Sequence, residues 1–145
     1  MHAKVLDHQY VISSNPDDIQ LGDVCRLLWG VHWAANRPEH IIQKSIENSN
    51  CFGIFDGQKQ IGFARVITDF ATFAYISDVV IDSNYRGQKL GYWLINHILS
   101  HHTFYHVSQW RLKTTYAHKF YKRFGFKPLE YPEKFLEILK SEPIS

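Results

Sequence analysis

Residues 75–99 read YISDVVIDSNYRGQKLGYWLINHIL, Tyr75 to Leu99, and the join at their centre decides how the rest of the chain is organised. Tyr75–Ile81 is an apolar run of strand length, and GYWLINHIL repeats its apolar residues at helical spacing. Between them, RGQKLG places Arg86, Gly87, Lys89 and Gly91 where a strand hands over to a helix. The first turn of a helix has backbone N–H groups without partners and the positive end of the dipole, which together attract anions. Glycines keep side chains away from that backbone, and Arg86 and Lys89 add charge. The six residues match neither a Walker loop nor the GxGxxG of dinucleotide folds. They suit a diphosphate cradle or a tight turn with exposed basic residues, in about equal measure.

One charge interrupts the apolar run. Asp78 costs free energy inside a strand unless it is hydrogen-bonded or wet, so it is a candidate general base or a structural partner for Arg65 or a helix terminus. In an undistorted strand it points away from the face shared by Tyr75, Ser77 and Val79, and a bulge would reverse that parity.

Working outward, QYVIS (Gln9–Ser13) reads as a short strand. Asp17 or Asp18 is placed to cap a helix carrying Ile19, Val24, Leu27, Leu28 and Val31, with Trp29 and Trp33 on a shared face if the helix continues. PEHIIQKSIENS predicts a second helix with Pro38 at its start and Ile41, Ile42, Ser45 and Ile46 inward. CFGIFDGQKQIGFARVI predicts a hairpin turning at Asp56-Gly57. After the 75–99 segment, WRLKTTY predicts a strand, AHKFYKRFG a short helix ending before Gly125, FKPLEY a last strand and EKFLEIL a final amphipathic turn or helix. The expected order is βααβββαβαβ: one α/β domain over 1–145, a mixed sheet with helices on both sides.

The whole-chain balance agrees. The 145 residues are 45% hydrophobic and 21% charged, enough for a real core and unlike a disordered chain. A net charge of +2 is too mild for a nucleic-acid binder. MHAKVLDHQYVISS has no apolar core of an export signal, and no apolar stretch is long enough to span a bilayer. Cys25 and Cys51 make no metal or redox motif. The expectation is a soluble cytoplasmic domain with reduced thiols, no membrane association and no metal. His97 and His101 have a chelating i, i+4 spacing, but a solvated helix end is the plainer reading.

The 75–99 segment resembles the acyl-CoA-binding segment of the GNAT superfamily of N-acetyltransferases, in which an apolar strand leads to [QR]-x-x-G-x-[GA] at the head of a helix. Arg86 takes the first place and Gly91 the last, and Lys89 stands where the family has its middle glycine. AHKFYKRFGFKPL, Ala117 to Leu129, is similar to the family's A-x-x-F-Y-x-[KR]-x-G-F. HWAANRPEHIIQKSIENSNCFGIFDGQKQIGFARVITD looks like a set of small bacterial members, so the resemblance runs from about Gln9 to Leu129.

The resemblance implies acetyl-CoA as cofactor and transfer of its acetyl group to a primary amine of a small molecule or peptide, by direct attack in a ternary complex. It puts the pantetheine arm on the end of the splayed strand, Val79, Val80 and Ile81. The diphosphate falls on the backbone of Arg86, Gly87, Gln88, Lys89, Leu90, Gly91 and Tyr92. Tyr121 matches the tyrosine that protonates the departing sulfur; without the resemblance it reads as core packed on Phe120, Phe124 and Phe126. The family's usual glutamate base would fall near Tyr75, which leaves Asp78 as the carboxylate at hand. The acceptor side is expected to involve Trp33, Arg37 and Phe70, with Asp69 at the rim. A non-catalytic acyl-CoA sensor or interaction module on the same fold is the alternative, and a homodimer is left open.

Overall fold

A computed structural model describes residues 4–6 and 9–140. The first unit, residues 1–113, is organised by a six-stranded sheet: β1 (Lys4–Leu6), β2 (Tyr10–Ser13), β3 (Asn50–Asp56), β4 (Lys59–Thr68), β5 (Phe73–Ile81) and β6 (Gln109–Leu112). The strands lie side by side in chain order. All neighbours are antiparallel except β5 and β6, which are parallel. The crossover between those two carries helix α3 (Leu90–Leu99), as a parallel pair requires.

Alternation along β3 shows why the sheet is covered on both faces. Cys51 joins one core with Val24, Leu27 and Leu28 of α1 (Leu21–Trp29) and Ile42 of α2 (Glu39–Glu47). Its neighbour Phe52 faces the other way and meets the rings of His97, His101 and Phe104 at 5.5–6.0 Å between centroids. On that side α3 buries Leu90, Leu94, Ile95 and Ile98 completely or almost so. No helix among the described residues is long and apolar enough to cross a membrane.

Several local expectations need correction. The chain has an additional first strand, β1, whose pairing with β2 no motif announces. Asp17 and Asp18 do not cap α1. Pro16 opens a separate 3-10 turn, Pro16–Asp18, closed by the Asn15 side chain, and α1 starts at Leu21 with Gln20 before it. Gly30 ends α1 one residue after Trp29, so Trp33 is not on that helix.

The second unit, residues 114–145, holds one short helix, α4 (His118–Lys122), followed by Gly125 in the left-handed region at φ 98°. FKPLEY is not a strand, and EKFLEIL gives only the end of a 3-10 turn, Pro132–Lys134, with irregular chain to residue 140. Pro128 and Pro132 remove two backbone donors from that stretch, and six or seven residues are too few to nucleate a helix without packing. The order is therefore ββααβββαβα rather than the expected βααβββαβαβ; the mixed sheet between helices stands.

Candidate functional site

Strand β5 outruns its partner. It pairs with β6 over Phe73–Ile76, and among the described residues Ser77–Ile81 have no strand paired on that side. The N–H of Asp82 donates to the Ile61 carbonyl at 2.8 Å. Because backbone direction alternates, the N–H and C=O groups of Ile81 and Val79 aim at the uncovered edge, while Val80 puts its side chain in the core.

That edge leads into the head of α3. No side-chain hydrogen bond caps this helix, and its first intrahelical bond is Trp93 N–H to Lys89 O at 3.1 Å. The N–H groups of Leu90 and Gly91 come before that bond and have no acceptor within the helix. Arg86, Gly87, Gln88 and Lys89 are exposed. Gly87 has φ 82°, and nothing lies within 4 Å of where a β-carbon would stand. Gln88 does not block the helix mouth. Its Oε1 accepts from the Tyr10 hydroxyl at 3.0 Å and its Nε2 donates to the Tyr85 carbonyl.

Lys89 sits at φ 63°, the left-handed conformation that glycine adopts without a β-carbon penalty. Lys89→Gly should therefore raise stability by up to about 1 kcal/mol, the strain relieved being partly offset by a freer unfolded chain. Urea unfolding of the two proteins checks this; a clear loss would show that the lysine side chain holds the turn.

The loop between strand and helix is tied down from three directions. The Asp82 carboxylate accepts from the Asn84 N–H at 2.9 Å and from Arg26 Nη1 at 2.7 Å. The Asn84 bond first, then Arg26, holds its carboxyl below the usual carboxylate range against the opposing effect of burial. Tyr85 donates to Asp56 at 2.8 Å. Between α1 and the end of β5 runs a small open groove of about 100 Å³, bordered by Arg26, Val31, Val80, Ile81, Ser83 and Arg86. Arg26 was not legible as a site residue. Its helical position between Val24 and Leu27 marks it only as off the core stripe.

Asp78 stands at a bulge. Arg65 pairs with Ser77 and Phe63 with Val80, so Asp78 and Val79 together oppose Ala64. Asp78 itself has φ 55°. The extra residue turns the carboxylate into the α1/α2 side of the sheet, which removes the parity objection. There its Oδ2 accepts from Arg37 Nη1 at 2.7 Å and from Arg65 Nε at 2.8 Å, with the side chain only 2% exposed. Burial pushes its carboxyl up, but the hydrogen bonds from Arg37 and Arg65 outweigh it, and the group stays below the ordinary carboxylate range. Arg65 continues to Ser49 and Ser77.

Of the three expected acceptor residues, Phe70 lies apart from Arg37, on the other face of the sheet. Arg37 is tied to Asp78, and its carbonyl accepts from Trp29 Nε1 at 2.7 Å. Trp33 is half-exposed with its ring edge-on to His32. Phe70, at φ 63°, stacks on Phe104 at 6.0 Å and belongs with the aromatic cluster on the opposite face of the sheet. Asp69 is the reason for that turn: its carboxylate accepts the Ala71, Thr72 and Phe73 N–H groups and the Thr72 hydroxyl, and these bonds, Thr72's first, hold it far below its usual range. The expected solvated helix end at His97 and His101 is also corrected, since both are buried.

Tyr121, on α4, is buried with the rings of Phe120 and Phe126 edge-on at 5.0 and 5.9 Å. Burial pushes its phenol up to about 12, so it keeps its proton at neutral pH.

Residues 47–128 match the family described as acetyltransferase (GNAT) domain. The crystal structure of an inferred acetyltransferase of the GNAT family from Xanthomonas campestris pv. campestris superposes with a TM-score of 0.86 at 32% identity, covering 90% of this chain and 93% of that one. A GNAT-family acetyltransferase from Streptococcus pneumoniae shares the fold at a TM-score of 0.69 and 21% identity, over 92% of this chain and 98% of its own. A Gibberella zeae protein, itself named an acetyltransferase by inference, is 28% identical over 59% of this chain. The chain spans 60% of the length of that curated relative. A matched domain covering more than half the chain, on the mixed sheet with its uncovered strand edge and uncapped helix, leaves one assignment: the chain belongs to the GNAT acetyltransferase family.

Proposed function

We propose that the protein is an N-acetyltransferase that binds acetyl-CoA along the free edge of β5 and transfers its acetyl group directly to a primary amine. The observation that carries this reading is the run of β5 past the end of β6 into a helix head that no side chain caps. The pantetheine amides pair with the backbone of Val79 and Ile81, the diphosphate takes the N–H groups from Gly87 to Tyr92, and Arg26 and Arg86 border its groove. The two units, 1–113 and 114–145, act as one catalytic domain in this reading.

The amine nitrogen attacks the thioester carbon, a C–N bond forms, the C–S bond breaks, and the amine proton leaves to solvent. The bulge at Asp78–Val79 frees backbone N–H groups from the β4 ladder, which suits them to hold the carbonyl oxygen as it gains charge. Asp78 serves as an anchor rather than the base, because a carboxylate engaged by two guanidiniums accepts a proton poorly. Tyr121 supplies the hydrogen bond to the leaving sulfur. A phenol near 12 is a weaker acid than a thiol of ordinary pKa about 8.5, so it stabilises the thiolate more than it protonates it.

Release of free thiol from acetyl-CoA with a panel of amines tests the reading. Amine-dependent release supports it. Binding of CoA with no release under any acceptor supports instead a non-catalytic acyl-CoA module, the reading that the loss of a free carboxylate base would favour.

A further inference from the structure

Arg37 and Arg65 share one carboxylate, Asp78, and the cluster carries a net positive charge. Among the described residues no other carboxylate is bonded to either arginine. Each nitrogen of Arg65 is engaged: Nε donates to Asp78, Nη1 to Ser49 and Nη2 to Ser77. Arg37 is different. A single hydrogen bond from Nη1 goes to Asp78, which leaves the other donors of its planar fork uncommitted, and its side chain is 23% exposed against 13% for Arg65. Its backbone is fixed as well, by the Trp29 indole. A guanidinium held at both ends, partly out of water and with donors to spare is pre-organised for an anion.

Its place along β5 gives the anion a role. The groove that takes the cofactor borders Val80 and Ile81, and Asp78 lies two residues back along the same strand, at the bulge. Arg37 therefore stands beyond the thioester end of the cofactor path, where the acceptor must lie. We infer that the acceptor is an amino carboxylate, its carboxylate gripped by the Arg37 fork and its amine presented to the thioester. This rests on the acetyl-CoA reading above. The excess positive charge also works against polyamines and other purely cationic acceptors, which would have to approach an uncompensated guanidinium. Two parallel N–H donors match a planar carboxylate better than a tetrahedral phosphate monoester.

The test needs no turnover. With CoA bound, titration calorimetry measures the affinity of L-amino acids against their carboxamides, with a polyamine and an amino phosphate as further arms, for wild type, Arg37→Gln and Arg37→Lys. Thermal unfolding of each variant guards against loss of fold. The expected result is a preference for free acids over carboxamides of at least about tenfold in the wild type, abolished in Arg37→Gln and not restored by Arg37→Lys, which keeps charge but loses the fork. Equal binding of acids and carboxamides, tighter binding of the polyamine or the amino phosphate, no binding of any acid, or full retention of the preference in Arg37→Gln overturns the inference. Failure of CoA itself to bind in the same cell identifies a failure of the cofactor reading instead.

Discussion

Asp78→Ala is expected to cost about 3 kcal/mol of stability, a large part of what a domain of this size possesses. The carboxylate is what allows two guanidiniums to sit together against the sheet; without it, Arg37 and Arg65 face each other with unscreened charge. Asp78→Asn keeps an acceptor oxygen but not the charge, and should fall between wild type and alanine. The pH dependence has a defined sign. Asp78's carboxyl is lowered in the folded state, so its contribution is present above the ordinary carboxylate pKa of about 3.9 and disappears as pH falls through the depressed folded value. The gap between wild type and Asp78→Ala in urea unfolding should therefore be full at pH 7 and shrink below about pH 4. A variant as stable as wild type, with activity alone lost, would assign Asp78 to proton transfer instead.

Tyr121→Phe is expected to lower kcat about 100-fold, with KM for acetyl-CoA changed only a few-fold. In the proposed reaction the phenol oxygen acts late, when the C–S bond is breaking, so its loss would be felt in the transition state rather than in binding. The fold should survive, because the aromatic contacts with Phe120 and Phe126 are kept and the hydroxyl makes no hydrogen bond among the described residues. At high pH the same residue affects stability. Burial raises its folded value to about 12, so its favourable contribution is complete below the unfolded pKa of about 10 and is lost as pH rises towards 12. A kcat within threefold of wild type would remove Tyr121 from the chemistry.

The strand, turn and helix head of the proposed cofactor side were legible because they are local. Strand, turn and helix head occupy Tyr75–Leu99 without a gap, and their apolar spacing and glycines carry the backbone geometry with them. Lys89 stands where the resembled motif has a glycine, and it takes the left-handed conformation that glycine adopts freely. What stayed hidden depends on residues far apart in the chain. Arg26 meets Asp82 across 56 positions and Arg37 meets Asp78 across 41, and no spacing rule announces such pairs. The bulge that aims Asp78 is a tertiary decision between β4 and β5, though an aspartate inside an apolar run was a fair warning of it. Phe70 was misplaced because an Asx turn at Asp69 and a positive φ redirect the ring, and neither follows from its neighbours' hydropathy. At the chain's end the alternation in FKPLEY and the spacing in EKFLEIL promised elements that proline and short length prevent.

In the proposed function the head of α3 and the open edge of β5 hold the diphosphate and pantetheine arm of the cofactor. Calorimetric titration with CoA and with pantetheine, which lacks the nucleotide and its diphosphate, tests it most directly. The account expects saturable binding of CoA and an affinity for pantetheine weaker by at least about 100-fold, since the charge-assisted bonds at the helix head are then unused. No heat of binding with CoA at millimolar concentration, or equal affinity for the two ligands, would contradict it.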